Sequence, residues 1–212
     1  MKNNPSRASD YIDPVLKPVP IGDLKPTQIT VGMGEVAEKR RRWKAQAADK
    51  KANYVREHMI PVILGPEKTH YILDHHHLAR ALHEEKVKHI FVYVVSDLSM
   101  LDRGAFWYML DNRNWMHPFD EDGRRRDYDA IPERVSDLVD DPFRSLAGSL
   151  RRAGGYAKDE TPYTEFLWAD FLRRRIARKT VNGDFEEALD QALQLAASKE
   201  ARYLPGWAGI DR

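Results

Sequence analysis

Between Ile60 and Val95 the order of side chains leaves the backbone few choices. Ile60-Pro61-Val62-Ile63-Leu64 and His70-Tyr71-Ile72-Leu73 flank Gly65-Pro66-Glu67-Lys68-Thr69, the pattern of two strands joined by a turn. Leu78 and Leu82 then share a helical face up to about Glu85, and Ile90-Phe91-Val92-Tyr93-Val94-Val95 is an apolar run suited to a strand. Upstream, Pro18 to Ile21 reads as a short strand. Met33, Val36, Ala37, Trp43 and Ala47 mark the apolar face of a basic amphipathic helix from Gly34 to about Lys51. Strand, helix, two strands, helix, strand makes a compact α/β unit ending near Asp97.

Beyond Leu98 nearly everything reads as helical, with a polar break from Asp120 to Asp129. Asp141-Pro142 is an N-cap and first-turn pair, Phe143, Leu146, Ala147 and Leu150 form one face, and Gly154-Gly155 stops that helix. Thr161-Pro162 repeats the start signal for a helix whose Phe166, Leu167, Trp168, Phe171 and Leu172 point to burial on several sides. A last helix is expected from about Phe185 to Ala197. The predicted organisation is a flexible arm over 1–17, an α/β domain over 18–97 and a helical domain over 98–212.

Asp74-His75-His76-His77 stands where the second strand of the hairpin meets its helix. Asp74 is placed to cap that helix, whose free N–H groups and positive dipole end attract anions, so phosphate is the first ligand to consider. On this reading His76 and His77 donate to phosphate oxygens, and Asp74 binds a Mg²⁺ that accompanies the phosphate. Gly34 and Glu35, opening the basic helix, offer further backbone N–H groups. Lys39 either serves the site or pairs with Glu35 one turn away. The rest of the basic run, Arg40-Arg41-Arg42, reads as a solvated face. Glu165 and Asp170 lie in a largely apolar helix and need partners, for which Arg144, Arg173 and Lys158 are at hand. The tryptophans read as core or interface residues.

The chain has 34 Lys+Arg against 33 Asp+Glu, so its net charge of +1 gives no global attraction to nucleic acid or to an anionic membrane. No segment approaches the roughly 20 apolar residues of a membrane span, and Met1 to Pro20 lacks the apolar run of a secretory signal, which together point to the cytoplasm. Without cysteine there is no disulfide, thiol or Cys-based zinc chemistry.

Several stretches together carry a family resemblance: Leu24-Lys25-Pro26-Thr27-Gln28, Val31-Gly32-Met33, Glu35-Val36, Lys39, Pro61 to Gly65, Asp74 to Leu82, Asp141 to Ala147 and Glu165 to Asp170. This pattern is similar to the ParB/sulfiredoxin superfamily, specifically to its group of ParB-like nucleases. The resemblance implies an α/β (α+β) fold: a ParB/sulfiredoxin-like N-terminal domain with a small mixed sheet, followed by a helical C-terminal extension. It also implies a nucleotide phosphate chain at the start of the helix after the motif strand. Superfamily members include CTP-dependent DNA clamps, ATP-dependent sulfinic acid reductases and kinases that phosphorylate free serine. The serine kinases carry Asp-Gly-His-His-Arg, which Asp74, His76 and His77 match, while His75 replaces the glycine and Leu78 the arginine. Arg80, His75 or a lysine of the basic helix would substitute for that arginine. The kinases have an acid where this chain has Thr27-Gln28. Glu35, nearby but not aligned to it, is the candidate general base. The reductases' cysteine and the clamps' Gly-Glu-Arg-Arg are absent.

These readings assemble into a site with His76, His77 and Glu35 as catalytic candidates and Asp74 as the metal ligand. Thr27, Gln28, Gly34, Lys39, His75, His76, His77 and Arg80 are the residues expected on the nucleotide, which is ATP, ADP or CTP. The expected chemistry is phosphoryl transfer to a small hydroxyl compound, or nucleotide hydrolysis. One alternative is a metal-dependent nuclease or DNA-binding protein. The nuclease needs several converging carboxylates or histidines, of which Asp74 with His76 supply only part, and the DNA binder is not favoured because Gly154 to Thr161 is too long for a helix-turn-helix turn and the helix after it is aromatic and apolar. Another is a non-catalytic protein-binding module using an exposed aromatic surface around Trp107, Tyr108 and Trp115. Oligomeric state is left open.

Overall fold

The computed structural model describes residues 17–209. The expected arm, Met1 to Lys17, lies outside them except for Lys17. In chain order the first elements are β1 (Lys17–Pro20), β2 (Leu24–Lys25), β3 (Thr30–Val31), α1 (Met33–Ala45), α2 (Lys51–Glu57), β4 (Ile60–Leu64), β5 (His70–Ile72), α3 (His76–Glu84) and β6 (His89–Asp97). They are followed by α4 (Arg103–Asn112), β7 (Val139–Asp140), α5 (Pro142–Arg152), α6 (Thr164–Arg173), α7 (Arg178–Gly183) and α8 (Phe185–Ala197). Among the described residues no helix is long and apolar enough to cross a membrane.

Five strands form a mixed sheet in the order β1-β6-β4-β5-β2. β4 and β5 are the expected antiparallel hairpin, while β6 returns parallel to β4 after the α3 crossover. The pleat sends alternate side chains to opposite faces. Ile60, Val62 and Ile72 pack with Val36, Leu78 and Leu82 under α1 and α3. Ile63 and Tyr71, on the other face, are covered by Phe106, Trp107 and Leu110 of α4. A division at Asp97 therefore does not match the packing: α4 closes the second face of the sheet and belongs with it. A separate core gathers Phe143, Leu146, Trp168, Phe171 and the alanine face of α8, beginning at α5.

Three local expectations differ from the structure. The basic helix ends at Ala45 rather than running to Lys51, because Gln46 turns extended and α2 restarts to set Tyr54 against Trp43, ring centroids 5.6 Å apart. The polar break is longer than expected, from the end of α4 to α5. Side-chain hydrogen bonds hold it in place of an apolar period, as where Asp120 accepts from the backbone N–H groups of Asp122 and Arg124 and from Arg126. The α6 helix starts at Thr164, not at Pro162. Tyr163 takes a left-handed conformation (φ 60°) that lets its hydroxyl donate to the carbonyls of Asn114 and Met116. The Asp141 cap, by contrast, forms as expected, accepting from Phe143 N–H at 3.0 Å.

Candidate functional site

The β5–α3 junction is built by backbone more than by cap chemistry. The residue before α3 is His75, held at φ 71°, and no side chain caps the helix. Asp74 does not cap α3 as expected, because its carboxylate turns back to accept from His75 N–H at 2.6 Å. That geometry explains why the resembling motif has glycine at this place, since only glycine enters the left-handed region without steric cost. The N–H groups of His76, His77 and Leu78 are left without a helical acceptor, as in any uncapped first turn.

His76 and His77 both face the neighbouring backbone through Nε2. Thr27 N–H donates to His76 at 3.1 Å, and Gly32 N–H donates to His77 at 3.0 Å. A backbone N–H can only donate, so each Nε2 is unprotonated and the ring proton sits on Nδ1. Burial enforces the neutral form, pushing His76 down to about 3 and His77 well below its usual value, with the nearby Arg144 charge adding to both. The donors these histidines retain for a ligand are their Nδ1–H groups.

The junction opens onto a cavity of about 520 Å³ between the sheet domain and the second core. His75, His76, His77, Asp74, Gln28, Glu35 and Lys39 reach it from one side, and Arg144, Arg151, Tyr156, Tyr163, Glu165 and Phe166 from the other. Lys39 is half-buried and makes no ion pair within 4 Å among the described residues; burial lowers its pKa, and Glu35 opposes that shift. Its neighbours in the basic run are neutralised, Arg40 by Glu84 and Glu85, and Arg41 and Arg42 by Glu38. Glu35 meets Arg152 at 2.6 Å, which docks α1 on α5.

The remaining expected residues divide. Gln28 lines the cavity and donates to Thr30 O. Thr27 holds the histidine frame, its hydroxyl donating to Ile72 O at 2.6 Å. Gly34 N–H is committed to Ser145 Oγ at 2.9 Å, and a Cβ on Gly32 would lie 2.6 Å from Ser145 N, so this glycine pair serves close packing of α1 on α5. Arg80 lies away from the cavity lining, donating to the carbonyls of Val135, Ser136 and Leu138 and to Glu84. Of the aromatic surface considered for a partner, Trp107 is buried, 6 % exposed and edge-on against Tyr71 and Phe106, whereas Tyr108 points outward and Trp115 is half-buried.

From the sequence Arg144 has only the role of a partner to Glu165 or Asp170, and Tyr156, Tyr163 and Phe166 have no place near the histidines. The pairing is present, Arg144 Nη2 lying 3.6 Å and Arg151 3.2 Å from Glu165, and Asp170 pairs with Arg173 and Arg174. The legible clue was the small residues Ser145 and Gly148 on α5, which let α1 approach closely enough to bring Arg144 beside α3.

Residues 17–174 match the family model described as "Putative ParB-like nuclease". A solved structure, that of protein Atu1540 from Agrobacterium tumefaciens, is 47% identical, covers 93% of this chain and 100% of its own, and superposes with a TM-score of 0.87. No curated protein matches the chain. A family match that runs from β1 to the end of α6, through both walls of the cavity, makes the chain a member of this ParB-like family.

Proposed function

We propose that the cavity binds the phosphate chain of a nucleotide against the first turn of α3 and supports phosphoryl transfer to a small hydroxyl compound, or hydrolysis. The observation that carries this reading is Lys39: a half-buried ammonium without an ion pair among the described residues, in the same cavity as the uncapped N-terminus of a nine-residue helix. Helix dipole and cation both favour an anion there. The Nδ1–H groups of His76 and His77 add neutral donors that keep their protons across the physiological range.

In such a transfer the bridging oxygen–phosphorus bond to the terminal phosphoryl group breaks as the acceptor oxygen attaches, the shortened nucleotide leaves with that electron pair on its oxygen, and the acceptor's proton passes to a carboxylate. Glu35 lines the cavity and is oriented by Arg152, so it is the carboxylate proposed for that proton. Asp74 is exposed, lines the cavity and has one oxygen free of the His75 contact, which suits a single carboxylate ligand to Mg²⁺ that arrives with its nucleotide. Bound there, Mg²⁺ would neutralise charge on the phosphate oxygens. Nucleotide and Mg²⁺ are both supplied in the cytoplasm, which is the compartment proposed.

The family's description favours a second reading, a nuclease. Among the described residues no group of three or more His, Cys, Asp or Glu is positioned to hold a metal ion, whereas metal-dependent phosphodiester cleavage draws on such a set. Thermal-shift titration with ATP, ADP, CTP and GTP, with and without Mg²⁺, separates the two. A Mg²⁺-dependent rise in melting temperature with one nucleotide, reduced in Lys39→Met, supports phosphoryl chemistry. Stabilisation by oligonucleotides alone, with cleavage products, supports the nuclease.

A further inference from the structure

Arg144 is the most unusual charged residue in the molecule. It is 5 % exposed, and its Nε and Nη1 are shut off from solvent without a hydrogen-bond partner. Its nearest acid, Glu165, is 3.6 Å away, beyond hydrogen-bonding distance, and is shared with Arg151 at 3.2 Å. The guanidinium lies 3.5 Å from the centroid of the Phe166 ring, a favourable cation–π contact that satisfies none of its N–H groups. Burial works against the charge, lowering the Arg144 pKa. A buried guanidinium in this condition is destabilising unless acceptors complete it.

The surroundings indicate what completes it. Arg144 lines the cavity shared by Lys39 and the first turn of α3, and its charge is felt by both His76 and His77. A carboxylate ligand brings only two oxygens to this set. Arg144, Lys39 and the free N–H groups of α3 exceed that capacity, whereas a phosphoryl group offers three terminal oxygens to a planar, forked guanidinium and to donors around it.

We infer that Arg144, supplied by the helical half of the chain, is the anchor for a phosphoryl dianion at the α3 N-terminus, with Glu165 as the internal carboxylate that the ligand displaces. The inference rests on the phosphate reading above for its choice of anion, and not on the nucleotide or on catalysis.

The test is thermal-shift and calorimetric titration of the full chain with inorganic phosphate and, separately, with ATP and Mg²⁺, on wild type, Arg144→Gln and Glu165→Gln. Losing a charge-assisted fork predicts phosphate binding weakened by about tenfold or more in Arg144→Gln. Its unliganded melting temperature should be unchanged or higher, because an unsatisfied buried charge has gone. Glu165→Gln removes the competing carboxylate, so phosphate should bind several-fold more tightly. If Arg144→Gln lowers the unliganded melting temperature while phosphate affinity is unchanged, Arg144 is a structural residue and the inference is overturned. Equal loss of phosphate binding in both variants also overturns it, since Glu165 would then support the site. Phosphate binding lost in Arg144→Gln, with no nucleotide shifting the wild type, upholds the anchor and removes the nucleotide reading. Nucleotide binding indifferent to Arg144→Gln does the reverse.

Discussion

The Gly32 N–H donates to His77 Nε2 across 3.0 Å, joining the residue before α1 to the first turn of α3. With the matching Thr27 to His76 bond it makes two adjacent histidines into acceptors for backbone donors. Removing the ring leaves the donor unpaired in a part-buried setting, which costs about 1–3 kcal/mol. His77→Ala should therefore lower the unfolding free energy measured in urea by that amount. His77→Gln, whose side-chain carbonyl can accept the same bond, should recover part of the loss. If both variants are equally destabilised, the hydrogen bond is not what joins the two helices.

Arg80 has a different task from the one its place beside the motif suggests. Its guanidinium ties three carbonyls, those of Val135, Ser136 and Leu138, in the segment leading into β7. Arg80→Ala removes the side-chain donor from all three, leaving Val135 O only its 3.5 Å contact with Leu138 N–H, and should release residues 135–138, seen as faster amide exchange and earlier proteolytic cleavage there. A stability loss of about 2 kcal/mol is expected, since hydrogen bonds to a charged donor are worth about 1.5–3 kcal/mol. Phosphate affinity should change far less than in Arg144→Gln. A parallel collapse of phosphate binding with no new mobility at 135–138 would return Arg80 to the ligand.

The hairpin, α3, β6, the Asp141 cap and α8 were legible because their signals are local: a turn between apolar runs, a periodic face, a capping residue before proline. The β5–α3 strand-to-helix junction was legible for the same reason. What stayed hidden comes from distant parts of the chain. Nothing near Ile63 or Tyr71 shows that α4 will cover them, and nothing near His77 shows that Arg144 will arrive from the other wall. Asp74 was misread as a cap because aspartate before a helical face is the usual signal. The glycine of the resembling motif, replaced here by His75, held the better clue that this position is left-handed.

His117 offers a pH test away from the junction. Its ring packs against Phe119, Tyr163 and Phe166, with the Phe166 centroid 3.7 Å away, and burial together with Arg144 and Arg173 pushes its pKa down to about 3 from 6.5. A depressed folded-state pKa means the unfolded chain binds the proton first, so the stability is present above about pH 6.5 and is lost as pH falls toward 3. The contribution is a slope of up to about 1.4 kcal/mol per pH unit from this one ring. Stability measured by urea denaturation from pH 7 to pH 4 should fall less steeply in His117→Phe than in wild type. Identical slopes would mean that the imidazole is protonated in the folded protein as readily as in the unfolded one.

His75 isolates the backbone cost at the junction itself. At φ 71° a non-glycine residue is strained by about 1–2 kcal/mol, and its ring recovers part of that through Nδ1, which lies 3.1 Å from Met59 O. His75→Gly relieves the strain but loses this contact and gives the unfolded chain more freedom, worth about 0.5–1 kcal/mol. These effects nearly cancel, so His75→Gly should fall within about 1 kcal/mol of wild type in urea denaturation. His75→Val carries a branched side chain into the same conformation without the hydrogen bond, and should be less stable than His75→Gly by about 2 kcal/mol or more. The contrast is informative for binding too. If the free N–H groups of α3 form the anion seat, a glycine that preserves the left-handed turn leaves phosphate affinity intact, while a valine that forces the turn open weakens it. Equal stability and equal phosphate affinity in the two variants would show that the turn at position 75 shapes neither the helix start nor the site.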